Sequence, residues 1–237
     1  MIIITAGVAR KPGMSREELL NSNAAIVKAK VEQAAQASPN AVLVIFSNPM
    51  DAMCHVAIQA SGFPRERVIG QGGALDSARY RYFVSEAVGV SPKDVHGYVI
   101  GGHTDTTMVP VVSQTLVGGI PLKSLLTSAK IDEVVSRTMR GGAEIGELMK
   151  VGSAFYAPSA GTIAMVESIL LDQNRLMPCS VLHQGEYGIN DVCSGTVVQL
   201  GEGGIQKVFE MSLDPSEQER VTAAAVATQV LLDQLTI

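Results

Sequence analysis

Short apolar runs alternate with longer amphipathic stretches over the first half of this chain, and this alternation limits its fold more than any other feature. The apolar runs lie at residues 2–5, 41–46 and 98–100, and the amphipathic stretches at 16–37, 52–61 and 75–88. Strand signals that alternate with helix signals are typical of a parallel sheet covered by helices. We therefore expect an α/β arrangement over residues 1–113.

The pattern changes after residue 122. Helical stretches at 131–151 and 160–172 are followed by three apolar runs, at 180–186, 192–200 and 205–211. Turn-like residues separate these three runs, which predicts an antiparallel meander.

Two helix starts are marked by capping residues. Ser15 and Glu18 fit the S-x-x-E capping box, in which each side chain satisfies a free backbone N–H of the first turn. Asp214, Pro215 and Glu217 combine a cap, a first-turn proline and an acid at the third helical position. Helices are thus predicted to begin next to residues 15 and 214.

The composition is that of a folded globular protein, with 46% hydrophobic and 17% charged residues and a mean hydropathy of +0.24. A net charge of −5 and the lack of a dense basic run argue against nucleic acid as a partner. Apolar runs much shorter than the roughly 20 residues of a membrane span argue against membrane insertion. Because Met1 leads directly into Ile2 without a signal-peptide pattern, we expect a cytoplasmic protein. The three cysteines show no metal-ligand spacing, and we expect them to be buried free thiols.

Six segments in order along the chain resemble the malate-oxidising members of the lactate/malate dehydrogenase family. They are TAGVARKPGMSR at 5–16, SNPMD at 47–51, LDSARYR at 75–81, GGHTDTTMVP at 101–110, SAFYAPSAG at 153–161 and PCSVLHQGEYGIND at 178–191. The resemblance covers essentially the whole chain, and so many ordered matches do not arise by chance. It implies NAD-dependent, reversible oxidation of malate to oxaloacetate, a reaction of the tricarboxylic acid cycle.

Such a reaction needs a group that takes the hydroxyl proton and cations that hold two carboxylates. His103 is the natural base, because imidazole titrates near neutrality and can move a proton in either direction. The resemblance gives Asp76 the role of orienting His103, and a carboxylate partner should raise the pKa of the imidazole. Gly101 and Gly102, just before His103, are expected to permit a close approach of the backbone.

The resemblance assigns the substrate-binding residues. Arg79 lies three positions after Asp76, on the same face of the predicted helix, and is implied to hold the C1 carboxylate. Arg16 is implied to polarise the reacting carbonyl, and Arg10 to meet the distal carboxylate. Arg10 is therefore the residue that indicates a dicarboxylate substrate. A substrate with a methyl group in place of the distal carboxylate would leave the desolvated guanidinium of Arg10 unpaired.

The remaining implied contacts lie at strand ends, where open α/β sheets bind ligands. Asn48 is expected to bind substrate or nicotinamide, and Asn23 and Ser47 are implied to contact NAD beside it. No metal is expected. The family's enzymes are dimers or tetramers, so the resemblance also implies homo-oligomers. One departure is that the commoner family form has one residue fewer between the histidine and the next proline, often with glycine in place of Thr104.

A dinucleotide site of this type uses G-x-G-x-x-G between a strand and a helix, followed by an acid about 20 residues later. The chain contains neither, and the glycines at 70–73, 141–146 and 201–204 lack the spacing. By resemblance, residue 2 begins the fourth strand of the nucleotide-binding domain. We therefore expect this polypeptide to bind NAD weakly and to expose an apolar sheet edge.

The expected fold class is α/β, with a truncated doubly wound (Rossmann) parallel sheet followed by an α+β catalytic domain with an antiparallel sheet. Residues 1–71 would be the second half of the NAD-binding domain and residues 72–237 the catalytic domain. Two alternatives to malate oxidation stay open. One is a lactate or other 2-hydroxyacid dehydrogenase, and the other is a catalytically silent homologue that acts as an assembly or binding module.

Overall fold

The computed structural model of the protein describes residues 1–8, 14–150 and 154–236. The α-helices in these ranges are α1 Arg16–Ala37, α2 Met50–Ser61, α3 Gly72–Val88, α4 Leu122–Leu125, α5 Ser128–Met149, α6 Tyr156–Leu170 and α7 Pro215–Leu232. The strands are β1 Ile2–Ile4, β2 Leu43–Ile45, β3 Val68–Gly70, β4 Val95–His96, β5 Val99–Gly101, β6 Met108–Pro110, β7 Leu116–Val117, β8 Ile120–Pro121, β9 Arg175–Gln184, β10 Asn190–Gly201 and β11 Gly204–Phe209. None of these helices is long and apolar enough to cross a membrane.

The first three strands form the expected parallel sheet. In this sheet Ile2 of β1 pairs with Leu43 of β2, which pairs in turn with Val68 of β3. Helices α1 and α2 connect these strands, as parallel pairing requires. Leu43, Val44 and Ile45 of β2 are completely buried because the strand has neighbours on both sides and layers on both faces.

The parallel and antiparallel parts belong to one continuous mixed sheet. They are joined where Gly70 of β3 pairs with Ser180 of β9 in antiparallel fashion. The full order is β1-β2-β3-β9-β10-β5-β6, with β11 paired to β10, and β4, β7 and β8 form a small separate sheet. The α/β fold class is confirmed, and the two predicted sheets meet edge to edge.

One part of the predicted sheet was wrong. The alternation over residues 1–113 placed a strand at 98–100 in the parallel sheet. Strand β5 instead runs antiparallel to both β10 and β6. The pairing with β6 has a local reason, because the six residues between β5 and β6 form a short hairpin loop, and only antiparallel strands can be joined so tightly.

Both predicted helix starts are confirmed. The Ser15 hydroxyl accepts from the Glu18 N–H at 3.0 Å, and the Glu18 carboxylate accepts from the Ser15 N–H at 2.8 Å. Asp214 and Glu217 form the same reciprocal pair at the start of α7. These local contacts fix where α1 and α7 begin.

The core lies on both faces of the mixed sheet. The three cysteines are buried free thiols, as predicted, with Cys54 and Cys193 in the core beneath α1 and α2 and Cys179 on the face covered by α6.

Candidate active site

His103 and Asp76 are brought together by the end of β5 and the second turn of α3. The imidazole Nδ1 lies 2.6 Å from the Asp76 Oδ2. The Asp76 side chain is 2% exposed and that of His103 is 15% exposed, so the pair is shielded from water but open on one side. No residue of the described ranges hydrogen-bonds to the other ring nitrogen, Nε2.

Gly72 allows the ring to lie so close to α3, and Gly101 and Gly102 allow the loop after β5 to close on Thr107. A Cβ on Gly72 would lie 2.7 Å from the His103 Cγ, which is closer than carbon atoms can approach. Gly101 adopts a φ of +77°, and a Cβ there would lie 2.8 Å from the Thr107 carbonyl oxygen. A Cβ on Gly102 would collide with the Thr107 side chain. The expected close approach at 101 and 102 is confirmed, and Gly72 permits a further one, between α3 and the His103 ring.

The loop after His103 is closed by its own hydrogen bonds. The Gly102 N–H donates to the Thr107 carbonyl at 3.0 Å, and the Thr104 and Thr107 hydroxyls lie 2.6 Å apart. The longer spacing between His103 and Pro110 therefore forms a compact turn, and Thr104 contributes a side-chain bond that glycine could not make.

The electrostatic environment favours the protonated imidazole. Burial alone lowers the pKa of His103, but the charge and hydrogen bond of Asp76, with a further contribution from Asp51, outweigh burial and the nearby Arg79. The pKa of His103 is therefore raised above its ordinary value of 6.5. A histidine of this kind can hold a proton at neutral pH and release it to a reacting oxygen.

Arg79 adjoins the pair on the same helix. Its Nη1 lies 3.4 Å from the Asp76 Oδ1, and its side chain is 11% exposed. The Nε is buried and has no hydrogen-bond partner among the described residues. Gly141 of α5 lies against the Arg79 side chain, where a Cβ would be 3.2 Å from the arginine Cδ. A buried guanidinium with an unused donor is suited to a carboxylate.

Asn23, Ser47 and Asn48 gather at the carboxyl ends of β1 and β2. The Asn23 amide accepts from the Val8 N–H at 2.7 Å and donates to the Asn48 carbonyl at 2.7 Å. The Ser47 hydroxyl donates to the Ala6 carbonyl at 2.5 Å. Asn23 and Ser47 are buried and hold the two loops together, whereas Asn48 is exposed.

Two of the arginines expected to bind substrate are not placed by the structure. Arg10 lies outside the described residues, and Arg16 is described only as the first residue of α1. The structure thus joins His103, Asp76 and Arg79 in one site and sets Asn48 at a strand end.

Sequence reasoning missed Asp51 and Ser180. The Asp51 carboxylate accepts from the His103 N–H at 2.9 Å and from the Ser180 hydroxyl at 2.7 Å. Burial, the largest influence, raises the pKa of Asp51, although both hydrogen bonds oppose it. A signal was present, because Asp51 is an acid within the otherwise apolar segment MDAMC. The described residues include no cluster of three or more His, Cys, Asp or Glu that could hold a metal ion.

Two family profiles cover nearly the whole chain. Residues 1–70 match the NAD binding domain of lactate/malate dehydrogenases, and residues 73–235 match their alpha/beta C-terminal domain. This chain belongs to the lactate/malate dehydrogenase family.

Relatives and solved structures of this family resemble the chain closely. A malate dehydrogenase of Chloroherpeton thalassium is 49% identical over 225 residues, which are 95% of this chain and 72% of the relative. The structure of the malate dehydrogenase from Aeropyrum pernix matches with a TM-score of 0.93 at 42% identity, covering 99% of this chain and 76% of that one. A Cryptosporidium parvum lactate dehydrogenase, solved with lactic acid and nicotinamide adenine dinucleotide, has a TM-score of 0.93 at 35% identity and covers 98% of this chain and 75% of its own.

Proposed function

We propose that this protein is a malate dehydrogenase, which reversibly oxidises (S)-malate to oxaloacetate with NAD. The observation that carries the proposal is the buried pair of His103 and Asp76, 2.6 Å apart with Arg79 beside it, in a chain 49% identical to a malate dehydrogenase.

His103 moves the proton. In malate oxidation the neutral imidazole accepts the hydroxyl proton at Nε2, and in the reverse direction the imidazolium returns a proton to the carbonyl oxygen. Asp76 accepts the Nδ1–H, which keeps Nε2 free as the acceptor and stabilises the imidazolium once it forms.

The arginines orient the substrate. Arg79 is proposed to bind the C1 carboxylate, supported by its burial and by the unused Nε donor. Arg16 is proposed to polarise the reacting carbonyl and Arg10 to bind the distal carboxylate, both on the sequence resemblance. Two carboxylates held by guanidinium groups fix which face of the substrate is presented for reaction.

The described residues fit the nicotinamide end of NAD. The exposed Asn48 lies at the carboxyl edge of the parallel strands, where open α/β sheets bind nucleotides, and Asn23 and Ser47 hold the adjoining loops. Asn48 is proposed to bind the nicotinamide or the substrate. When bound, NAD supplies the hydride acceptor of the reaction.

We further propose that residues 1–71 serve nucleotide binding and residues 72–237 catalysis, and that the protein is a cytoplasmic homodimer or homotetramer. A second candidate activity is lactate oxidation, which the likeness to the Cryptosporidium parvum lactate dehydrogenase favours at a TM-score of 0.93. Arg10 argues for the dicarboxylate, because its charge would have no partner beside a methyl group.

Steady-state reduction of oxaloacetate and of pyruvate, at saturating NADH, separates the two activities. We expect oxaloacetate to be preferred by kcat/KM, and Arg10→Gln to lose at least about tenfold with oxaloacetate, since an unpaired distal carboxylate costs more than 1.4 kcal/mol. Arg140→Gln, at an exposed arginine of α5, is the matched control and should leave the preference unchanged. A wild-type preference for pyruvate would overturn the proposal.

A further inference from the structure

We propose that Asp51 is a positioning residue of this site, which holds the main chain of His103 so that the imidazole meets Asp76 in a fixed place. The Asp51 Oδ2 accepts the His103 N–H at 2.9 Å, and its Oδ1 accepts the Ser180 hydroxyl at 2.7 Å. The Asp51 residue is 7% exposed, so both bonds are made away from bulk water. Hydrogen bonds are stronger in the low dielectric of a buried site than in water.

The bond to Ser180 anchors the carboxylate to the centre of the mixed sheet. Ser180 pairs with Gly70 of β3 on one side and with Gly195 of β10 on the other. A Cβ on Gly70 would lie 2.7 Å from the Ser180 Cβ, so the serine is tightly enclosed. Asp51 is thus fixed at one oxygen by the sheet and can fix His103 with the other.

His103 is held from three directions as a result. Asp51 of α2 binds its N–H, Asp76 of α3 binds its Nδ1, and Gly72 lies against its ring. A cavity of about 10 Å³ among these residues is far too small for a dicarboxylate, so substrate must approach from the open side of the ring.

The hydrogen bond between Asp51 and His103 also joins the two regions of the chain that match the two family domains. Asp51 lies in residues 1–70, which match the NAD binding domain, and His103 lies in residues 73–235, which match the C-terminal domain. The carboxylate therefore ties the proton-transfer residue to the part of the chain that carries Asn48 at the proposed nicotinamide end.

Hydrogen bonding and charge can be separated by substitution. In Asp51→Asn the amide oxygen can accept the His103 N–H and the NH₂ can donate to Ser180. Both hydrogen bonds are therefore kept, and only the negative charge is lost. In Asp51→Ala both bonds are lost. Ser180→Ala removes only the anchor. Among the described residues, the charged groups that face His103 are Asp76, Asp51 and Arg79, and those that face Asp51 are His103 and Asp76.

The first readout is independent of turnover. Proton NMR of ¹⁵N-histidine-labelled protein reports the Nδ1–H of His103 in its bond to Asp76. We expect a sharp downfield resonance in wild type and Asp51→Asn, and a broadened or lost one in Asp51→Ala. An unchanged resonance in Asp51→Ala would overturn the proposal.

The second readout is the kinetics of oxaloacetate reduction, and this arm alone rests on the proposed function. We expect Asp51→Ala to lower kcat by about tenfold to a hundredfold with KM changed by less than about twofold, because a misplaced base loses rate before affinity. Asp51→Asn should return kcat to within about threefold of wild type, and Ser180→Ala should show a smaller loss of kcat. An Asp51→Asn variant as slow as Asp51→Ala would contradict the proposal, as would a rise in KM at unchanged kcat.

The two arms fail separately. A wild-type protein that turns over no oxaloacetate would overturn the proposed function, while the resonance of His103 would still decide the role of Asp51. Melting curves of each variant establish that it is folded, and Asp51→Asn and Ser180→Ala keep the test available should Asp51→Ala unfold.

Discussion

The position of His103 depends on the absence of a Cβ atom at Gly72. The His103 ring lies where a side chain at residue 72 would be, since an added Cβ would be 2.7 Å from Cγ and 2.8 Å from Nδ1. The neighbouring backbone belongs to the first turn of α3, so the ring rather than the helix would have to move.

Gly72→Ala should therefore displace His103 from Asp76. We expect kcat for oxaloacetate reduction to fall by about a hundredfold, because roughly 1 Å of displacement can cost that much. Gly146→Ala is the matched control, as this helical glycine has nothing within 4 Å and no left-handed backbone. Equal activity of the two variants would show that the ring tolerates the added methyl group.

Some residues of the site belong to short sequence motifs, whereas others are recognisable only from contacts between distant parts of the chain. His103, Asp76 and Arg79 were predicted from sequence because their chemistry and their order along the chain are visible in short motifs. The sequence marks Asp51 as an acid in an apolar segment, but its contact with His103, like that of Gly72, is made across the fold and is encoded by no local pattern. Ser180 lies 129 residues from the Asp51 it binds, which is why sequence reasoning did not join them.

The elements show the same division. The predicted helix at 16–37 has the bounds found for α1, because its capping box is a local contact. Strand β3, only Val68–Gly70, was not predicted. The run predicted at 180–186 overlaps the second half of β9, Arg175–Gln184, and extends two residues past its end. Strand bounds depend on which partner lies alongside, and that information is not local.

The hairpin of β9 and β10 encloses a second histidine. His183 is fully buried, and its Nε2 lies 2.9 Å from the Ser194 hydroxyl. Its Nδ1 has no hydrogen-bond partner in the described part of the chain and lies 3.8 Å from Glu186, which is paired with Arg65. Burial, only partly opposed by Glu186, lowers the pKa of His183 below its ordinary value of 6.5.

The hairpin should therefore lose stability in acid. A pKa that is lower in the folded state means that the full contribution of His183 is present above pH 6.5 and is lost as the pH falls below that value. We expect the urea-unfolding free energy of His183→Gln to fall less steeply below this pH than that of wild type. The difference should be at most about 1.4 kcal/mol per pH unit, the value for one proton.

His96→Gln provides the control, because His96 is exposed on β4. Parallel pH profiles for wild type and His183→Gln would contradict a neutral buried imidazole at residue 183.

At the scale of the whole molecule, the proposed catalytic pair and the proposed nucleotide site differ in how many of their expected residues the 237-residue sequence contains. His103, Asp76 and Arg79 are assembled, but no G-x-G-x-x-G is present to hold a pyrophosphate. Within the described ranges β1 pairs only with β2 and is an end strand of the mixed sheet.

This polypeptide should bind NADH weakly. We expect isothermal titration to give a dissociation constant in the range of about 0.1 mM or weaker, which is near −5.5 kcal/mol, because the sequence has no G-x-G-x-x-G loop to bind the pyrophosphate. A low-micromolar dissociation constant would show that this polypeptide binds NADH tightly without that loop. Titration with oxaloacetate alone serves as the control for the substrate residues.

The pH dependence of both reaction directions tests the central claim most directly, namely that His103, braced by Asp76, carries the proton. At saturating cofactor, the rate of malate oxidation should rise with pH and the rate of oxaloacetate reduction should fall. Both curves should share one midpoint, which lies above pH 6.5 because the pKa of His103 is raised. Asp76→Asn should move that midpoint to lower pH and reduce kcat by roughly 10²-fold or more. Profiles that Asp76→Asn leaves unchanged would contradict the account.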